Sequence, residues 1–399
     1  MITVEQAEKL VLAEAKDFGN EKVPFEKALG RVLAEDIVAD RDLPPFNRVT
    51  MDGIAISYKA IENGITQFAI KTTQAAGDDP IEIDNPGECI EIMTGAALPK
   101  SLDTVIPYEQ VEVVDGKVIL STTNIKQGQS LHLRGTDKRK GDVIIPARRM
   151  ITPSFINTIA SVGKTELLVK KLPRVIVVSS GDELVDIDQE PSPIQIRKSN
   201  SYTIQAALDK HQLQADLLHI PDDFEITREK LAHCLANYDV ILMTGGISMG
   251  KFDYIPKALN EMGVKTIFHK VSQRPGKPFW FGKHRNGVLV FAFPGNPVAT
   301  FMCLHRYFLT WLDRSVGLPE KRVICGVLNQ DFVFKPELQY FLQVKLHYGK
   351  DGRLMADPVE GNGSGDFANL ADTDAFMELP LERSEFKQGE VFRIWPFTD

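Results

Sequence analysis

Asp239-Val240-Ile241-Leu242-Met243-Thr244-Gly245-Gly246 is a short apolar run that stops at a pair of glycines. Upstream, Arg174-Val175-Ile176-Val177-Val178-Ser179 has the same texture and stops at Ser180-Gly181-Asp182-Glu183. Near-continuous apolar runs of this length, bounded by turn residues, read as strands buried on both faces. Further strands are predicted over 215–220, 264–271 and 287–293. Helical periodicity falls between and after them, over 202–211, 224–237, 254–262 and 298–316, the last stopped by Gly317 and Pro319. This alternation predicts an α/β domain over 173–318, a central parallel sheet with helices on both faces.

Working outward, residues 1–45 and 142–172 read as an elongated N-terminal domain. Thr3 and Gln6 are spaced as a capping box, and Val4, Ala7, Leu10, Val11 and Ala15 then share one helical face. A second short helix is expected over 24–33. The paired prolines of Leu43-Pro44-Pro45-Phe46 exclude helix there. Between 46 and 141, short alternating runs such as 67–71 and 117–120 are separated by Gly, Asp and Asn, which predicts an inserted, mainly β module. Helix then strand return over 152–169. Residues 319–399 read as a small C-terminal β domain with strands near 323–328, 340–346, 375–379 and 391–395.

The chain has 399 residues, and 46 basic against 54 acidic side chains leave a net charge of −8. That balance supplies no attraction for nucleic acid or an anionic membrane. With 43% hydrophobic and 25% charged residues, the composition excludes a disordered chain, a collagen and a disulfide scaffold. Cys89, Cys234, Cys303 and Cys325 form no metal-ligand spacing and read as buried free thiols in a reducing compartment. No basic leader precedes an apolar core at the N-terminus, and no apolar run approaches the roughly 20 residues of a membrane helix. The expected location is cytoplasmic.

Ligands of open parallel sheets bind outside the carboxyl ends of the strands. There the chain places three turns of small residues: Ser179-Ser180-Gly181-Asp182-Glu183, Thr244-Gly245-Gly246-Ile247-Ser248-Met249-Gly250, and Pro294-Gly295-Asn296-Pro297. Small residues let phosphates approach backbone N–H groups. Neither a dinucleotide fingerprint nor a P-loop is present. Asp182, Glu183, Asp223 and Asp253 recur at the same edge, where a few carboxylates with phosphate oxygens suit magnesium. Arg274-Pro275-Gly276-Lys277-Pro278 sets two cations on a rigid frame suited to an oxyanion. A phosphorylated or oxyanionic ligand with Mg2+ follows. No Ser/His/Asp triad is readable, and the histidines lack metal-ligand spacing.

Two further strings have no such rationale: Met51-Asp52-Gly53, and Met93-Thr94-Gly95-Ala96 leading to Val105-Ile106-Pro107-Tyr108-Glu109. Taken in order with Pro44-Pro45-Phe46, Ser180-Gly181-Asp182-Glu183-Leu184, Ser199-Asn200 and Tyr202, the Thr244–Gly250 turn with Asp253-Tyr254, Pro275-Gly276-Lys277-Pro278, Pro294-Gly295-Asn296-Pro297 and Gly363-Ser364-Gly365, they make the whole chain resemble the molybdopterin molybdenumtransferase family, MoeA in bacteria and the gephyrin E-domain in animals.

The resemblance implies a transferase of molybdenum cofactor biosynthesis. Its substrates would be adenylylated molybdopterin and molybdate, its products AMP and the molybdenum-loaded dithiolene, and it would use magnesium. It implies a homodimer whose cleft lies between subunits, Asp52 and Thr94 reaching the partner's sheet domain. Catalytic roles would fall to Asp52, Thr94, Glu183, Asp223, Asp253 and Lys277, with Glu183, Asp223 and Asp253 organising the metal. Ser180, Gly181, Asp182, Ser199, Asn200, Gly245, Gly246, Ser248, Gly250, Arg274, Pro294, Gly295, Asn296, Pro297 and Ser364 would bind the pterin substrate. Other proteins of cofactor biosynthesis are implied partners.

Departures from the family pattern occur at His132, where the family has Arg, at Lys198 for Asp, at Arg274 for Lys, and at Leu338 and Gln343, where two arginines are usual. Two other readings compete. One is a pyrophosphatase-like paralogue; the other is a non-catalytic dimeric carrier or scaffold for the cofactor.

Overall fold

The computed structural model describes residues 1–246, 254–361 and 367–398. Its centre is a six-stranded sheet. The strands are β1 (Val175–Ser180), β2 (Ala215–Ile220), β3 (Val240–Thr244), β4 (Val264–His269), β5 (Trp280–His284) and β6 (Leu289–Phe293), in the spatial order β2-β1-β3-β6-β5-β4. The pairs β1/β2, β1/β3 and β3/β6 are parallel, with Val177 opposite both Leu217 and Leu242. The predicted parallel sheet is therefore mostly so. It also holds one strand the sequence reading lacks, β5, which runs antiparallel to both β6 and β4. Gly282 and Lys283 interrupt the apolar run of β5 and hide it from pattern reading.

Alternate residues of the strands feed two cores, as a pleated sheet requires. Val175, Val177, Val240, Leu242, Phe291 and Phe293 face the N-terminal helix Val4–Ala13, the helix Asn200–Asp209 and the long helix that starts at Pro297. Ile176, Val178, Ile241, Met243, Val290 and Ala292 face the helices Phe224–Asn237 and Tyr254–Glu261. The long helix is one rod of two α segments, Pro297–Cys303 and Leu309–Ser315, joined by a wide π-turn at Leu304–Phe308.

The chain divides into two compact units. The first holds residues 1–34, 148–152 and 166–399, so the sheet above, the N-terminal helix and the C-terminal β structure belong together. The capping box forms: Gln6 N–H donates to Thr3 Oγ1 at 3.2 Å and Thr3 N–H to Gln6 Oε1 at 3.0 Å. Residues 24–33 are not an α-helix. Strand Asn20–Pro24 is followed by a single 3-10 turn, Phe25–Lys27, and the left-handed backbone of Gly30 stops it. Cys325 is exposed, against expectation, because it sits on the strand Ile324–Leu328; the other three thiols are buried. In the C-terminal sheet Gln339–Tyr348 pairs with Ala375–Leu379 and with Leu354–Pro358, the latter unforeseen.

The second unit, residues 35–147 and 153–165, is built on a six-stranded sheet in the order Thr104–Pro107, Gly53–Ile56, Glu88–Ile92, Gln67–Gln74, Lys117–Leu120, Val111–Val114. No helix among the described residues is long and apolar enough to cross a membrane.

A buried ion pair ties the N-terminal helix to the rest of the first unit. Arg306, 2% exposed, donates from Nη2 to Glu8 Oε2 at 2.8 Å, and its guanidinium lies 4.3 Å from the Trp395 ring centre. Burial acts to raise the Glu8 pKa, but the Arg306 hydrogen bond and the charges of Arg306 and Arg393 outweigh it and hold the pKa below the ordinary value. A depressed carboxylate contributes stability above its unfolded pKa and loses it as pH falls through the folded one. Glu8→Gln is expected to cost roughly 3 kcal/mol in urea unfolding at pH 7, because it leaves the buried Arg306 only the longer 3.9 Å pairing with Glu378. The difference between the two proteins should shrink as the pH falls below 4.

Candidate functional site

The strand order reverses beside β1: the chain leaves β1 to form β2 on one side and returns to place β3 on the other. Such a switch point opens a crevice at the carboxyl ends of the two diverging connections. Ser180 ends β1 here, and Gly245-Gly246 follows β3. The two turns are in close contact. A Cβ on Gly246 would lie 2.6 Å from Ser180 Oγ and 2.3 Å from Ile255 Cδ1, and the Gly246 φ is +67°. Only glycine fits there. Ser180 is 7% exposed, and among the described residues its buried Oγ has no hydrogen-bond partner. A buried hydroxyl without a partner is costly unless a ligand or water meets it.

The third turn joins them. Gly245 N–H donates to Phe293 O at 3.3 Å, and a Cβ on Gly295 would lie 3.7 Å from Gly245 Cα. Asn200 Nδ2 donates to Gly295 O at 2.7 Å, so the start of the helix Asn200–Asp209 braces the loop. Pro297 occupies the first turn of its helix, where its missing N–H costs nothing, and Asn296 stands at the cap position. The loop walls a cleft of about 360 Å³ whose other side is Gln273 to Pro278, closed by Ala299 and Leu338. Arg274 and Lys277 are exposed on that loop while Pro275 and Gly276 are buried. The Arg274 guanidinium lies 6.0 Å from the Phe334 ring centre. The cleft thus pairs a polar small-residue wall with a cationic one.

The carboxylates are less uniform. The Asp182 carboxylate accepts from Asp222 N–H at 3.0 Å, and Glu183 folds back over Gly181. Asp223 is the N-cap of the helix Phe224–Asn237, its Oδ1 accepting from Ile226 N–H at 2.9 Å. Asp253, Ser248, Gly250 and Ser364 lie outside the described residues. Among the described residues no three His, Cys, Asp or Glu side chains converge as a metal site. A magnesium ion held mainly by substrate phosphates needs only one or two carboxylates from a protein. On β2, His219 Nδ1 lies 3.2 Å from Ser179 Oγ, and burial with the charges of Lys198 and Lys230 pushes its pKa below the ordinary value.

In the second unit Asp52 and Thr94 do meet. Asp52 Oδ1 accepts from Thr94 N–H at 2.7 Å. That bond, with the Thr94 hydroxyl, holds the Asp52 pKa below the ordinary value although the group is exposed. Gly53 explains the Met-Asp-Gly string: a Cβ there would sit 2.1 Å from Ile106 O, across the strand pair. His132 receives Arg48 at Nδ1 (3.1 Å) and contacts Asp137 at Nε2 (2.8 Å). Of the other departures, Lys198 pairs with Asp186 at 2.8 Å, Leu338 borders the cleft, and Gln343 is buried in the C-terminal sheet. Nothing in the sequence pointed to Asn200 as a strut or to Gln273 as a cleft residue.

The fold and site define a multidomain α/β protein with a crevice at the switch point of its sheet and a cleft with one cationic wall. Family models match three consecutive segments: the MoeA N-terminal region (domain I and II) over 2–163, a probable molybdopterin binding domain over 176–314, and the MoeA C-terminal region (domain IV) over 326–397. The molybdopterin molybdenumtransferase of a Synechocystis strain is 39% identical, covering 99% of this chain and 100% of that protein. That of Bacillus subtilis is 28% identical over 98% and 93%. The crystal structure of a molybdopterin biosynthesis MoeA protein from Pyrococcus horikoshii superposes with a TM-score of 0.84 at 27% identity, covering all of both chains. The chain belongs to the molybdopterin molybdenumtransferase family.

The cap role of Asp223 and the metal role expected of it separate by substitution. Asp223→Ala is expected to cost about 1 kcal/mol in urea unfolding and Asp223→Ser almost nothing, since serine also caps. A large loss of turnover in Asp223→Ser would then report the lost charge rather than the lost cap.

Proposed function

We propose that this chain inserts molybdenum from molybdate into adenylylated molybdopterin and releases AMP. Family membership makes it a transferase of molybdenum cofactor biosynthesis. The observation that carries the finer reading is the cleft itself: the turn of Pro294 to Asn296, which touches Gly245 at the switch point, faces Arg274 and Lys277 across about 360 Å³. The unpartnered Ser180 hydroxyl, beside a turn of glycines that keeps side chains away from it, is suited to a phosphate. Arg274 can fork onto an oxyanion and Lys277 can follow charge as it develops on the scissile diphosphate.

Glu183 and Asp253 would hold magnesium, which when bound neutralises diphosphate charge. Asp223 contributes through its unbonded oxygen or through the helix it caps. Asp52, kept ionised by Thr94, would add a carboxylate from the partner of a homodimer; that contribution gives the exposed Asp52–Thr94 pair a use. Residues 46–141 would be the module that carries it, and the cytoplasm the place of action.

The test is AMP release from adenylylated molybdopterin by purified protein with Mg2+, with and without molybdate. Release that requires molybdate supports the insertase. Release indifferent to molybdate would mean a pyrophosphatase-like activity, and tight pterin binding with no release a carrier. Glu183→Ala and Asp253→Ala are each expected to lower turnover at least about a hundredfold while pterin binding, measured by fluorescence quenching, changes little. Sedimentation equilibrium tests the dimer.

A further inference from the structure

The loop that presents Arg274 and Lys277 has a polar plug. Gln273 is fully buried at its base. Its Nε2 donates to Gly276 O at 3.2 Å and lies 3.5 Å from Cys303 Sγ, and its Oε1 accepts from the Tyr307 hydroxyl. Tyr307 is 1% exposed, and burial raises its pKa well above the ordinary value, so it remains a donor at any working pH. Gly276 O also accepts from Phe279 N–H at 3.0 Å, and the Phe279 ring lies 4.8 Å from that of Tyr307. Gly276 itself has no room for a side chain. Its φ is +90°, and a Cβ would stand 2.7 Å from both Cys303 Sγ and Gln273 Nε2.

The helix end of this network is unusual. Tyr307 lies in the π-turn Leu304–Phe308, which buries Arg306, Tyr307 and Phe308 in succession. An ordinary α-helix would present only part of such a run to one core. Wide turns of this kind cost hydrogen-bond geometry and recur where function needs a side chain re-aimed. On its other flank the loop is held as a strand, Gln273 and Arg274 pairing with Gln339 and Tyr340 of the C-terminal sheet. Val271 N–H closes the loop onto Lys277 O at 3.0 Å.

We infer that Gln273 and Tyr307 are positioning residues: the Tyr307–Gln273–Gly276 relay sets the distance between the Arg274 and Lys277 side chains, and so the oxyanion affinity of the cleft. The assignment rests on the insertase reading and names the part of the site that this relay tunes. A buried glutamine confined to fold support would be replaceable by an apolar residue of like volume without a change in ligand affinity. A positioning glutamine is not replaceable in that way.

Native protein, Tyr307→Phe, Gln273→Met and the double variant are compared by three measurements. These are the unfolding midpoint, calorimetric binding of inorganic pyrophosphate, and KM for molybdate with kcat for AMP release. Each single variant is expected to weaken pyrophosphate binding and raise the molybdate KM by about ten- to a hundredfold. The double variant leaves no buried polar side chain stranded, so its midpoint is expected to recover towards native while its binding defect persists. Native affinity and KM in folded single variants would overturn the inference, as would a defect that disappears when the midpoint recovers. In either case native, molybdate-dependent AMP release would leave the insertase standing. A native protein that neither binds pyrophosphate nor releases AMP would remove the insertase reading and this inference together.

Discussion

The reversal of strand order around Val175–Ser180 is the constraint on which the site depends. Parallel strands buried on both faces can meet solvent only at their ends. At the carboxyl end of β1 the chain leaves towards β2, and at that of β3 it leaves the other way, so two connections diverge and a gap opens between them. Three turns are arranged around that gap: the end of β1 with the orphan hydroxyl of Ser180, the glycine pair after β3, and the proline-framed turn after β6, which also walls the cleft. The antiparallel strand β5 extends the sheet beyond the turn after β6 and leads directly out of the cationic loop.

Rigidity is supplied from behind. The Asn200 side chain holds the Gly295 carbonyl, and Gln273 with Tyr307 fills the loop that carries Arg274 and Lys277. These contacts come from different helices and are far apart in sequence. A diphosphate has charge spread over several oxygens, and cations on fixed backbone meet it at less entropic cost than cations on a free loop. The Glu8–Arg306 pair belongs to the same layer, since Arg306 is the neighbour of Tyr307 in the π-turn.

The second unit follows a different logic. Its strands bring Asp52 next to Thr94 although 42 residues separate them, and the close approach of Gly53 to Ile106 O fixes where Asp52 leaves the sheet. The same bond that keeps this exposed carboxylate ionised also fixes the turn at Thr94.

By itself the sequence determined most of the central domain. Continuous apolar strands and amphipathic helices over 173–316 are local patterns, and the helix 224–237 and the strand 215–220 appear with the predicted bounds. Capping at Thr3 and the small-residue turns are equally local, and so were legible, as were the ordered strings that carry the family resemblance. Tertiary structure decided what locality cannot hold. Glycine within an apolar run concealed β5, and Gly30 with the preceding strand removed a helix over 24–33. The orphan state of Ser180 and the plug at Gln273 are relations between residues brought together only by packing. A side chain's type states which bonds it can make; burial and the partners within reach of it decide which bonds it does make.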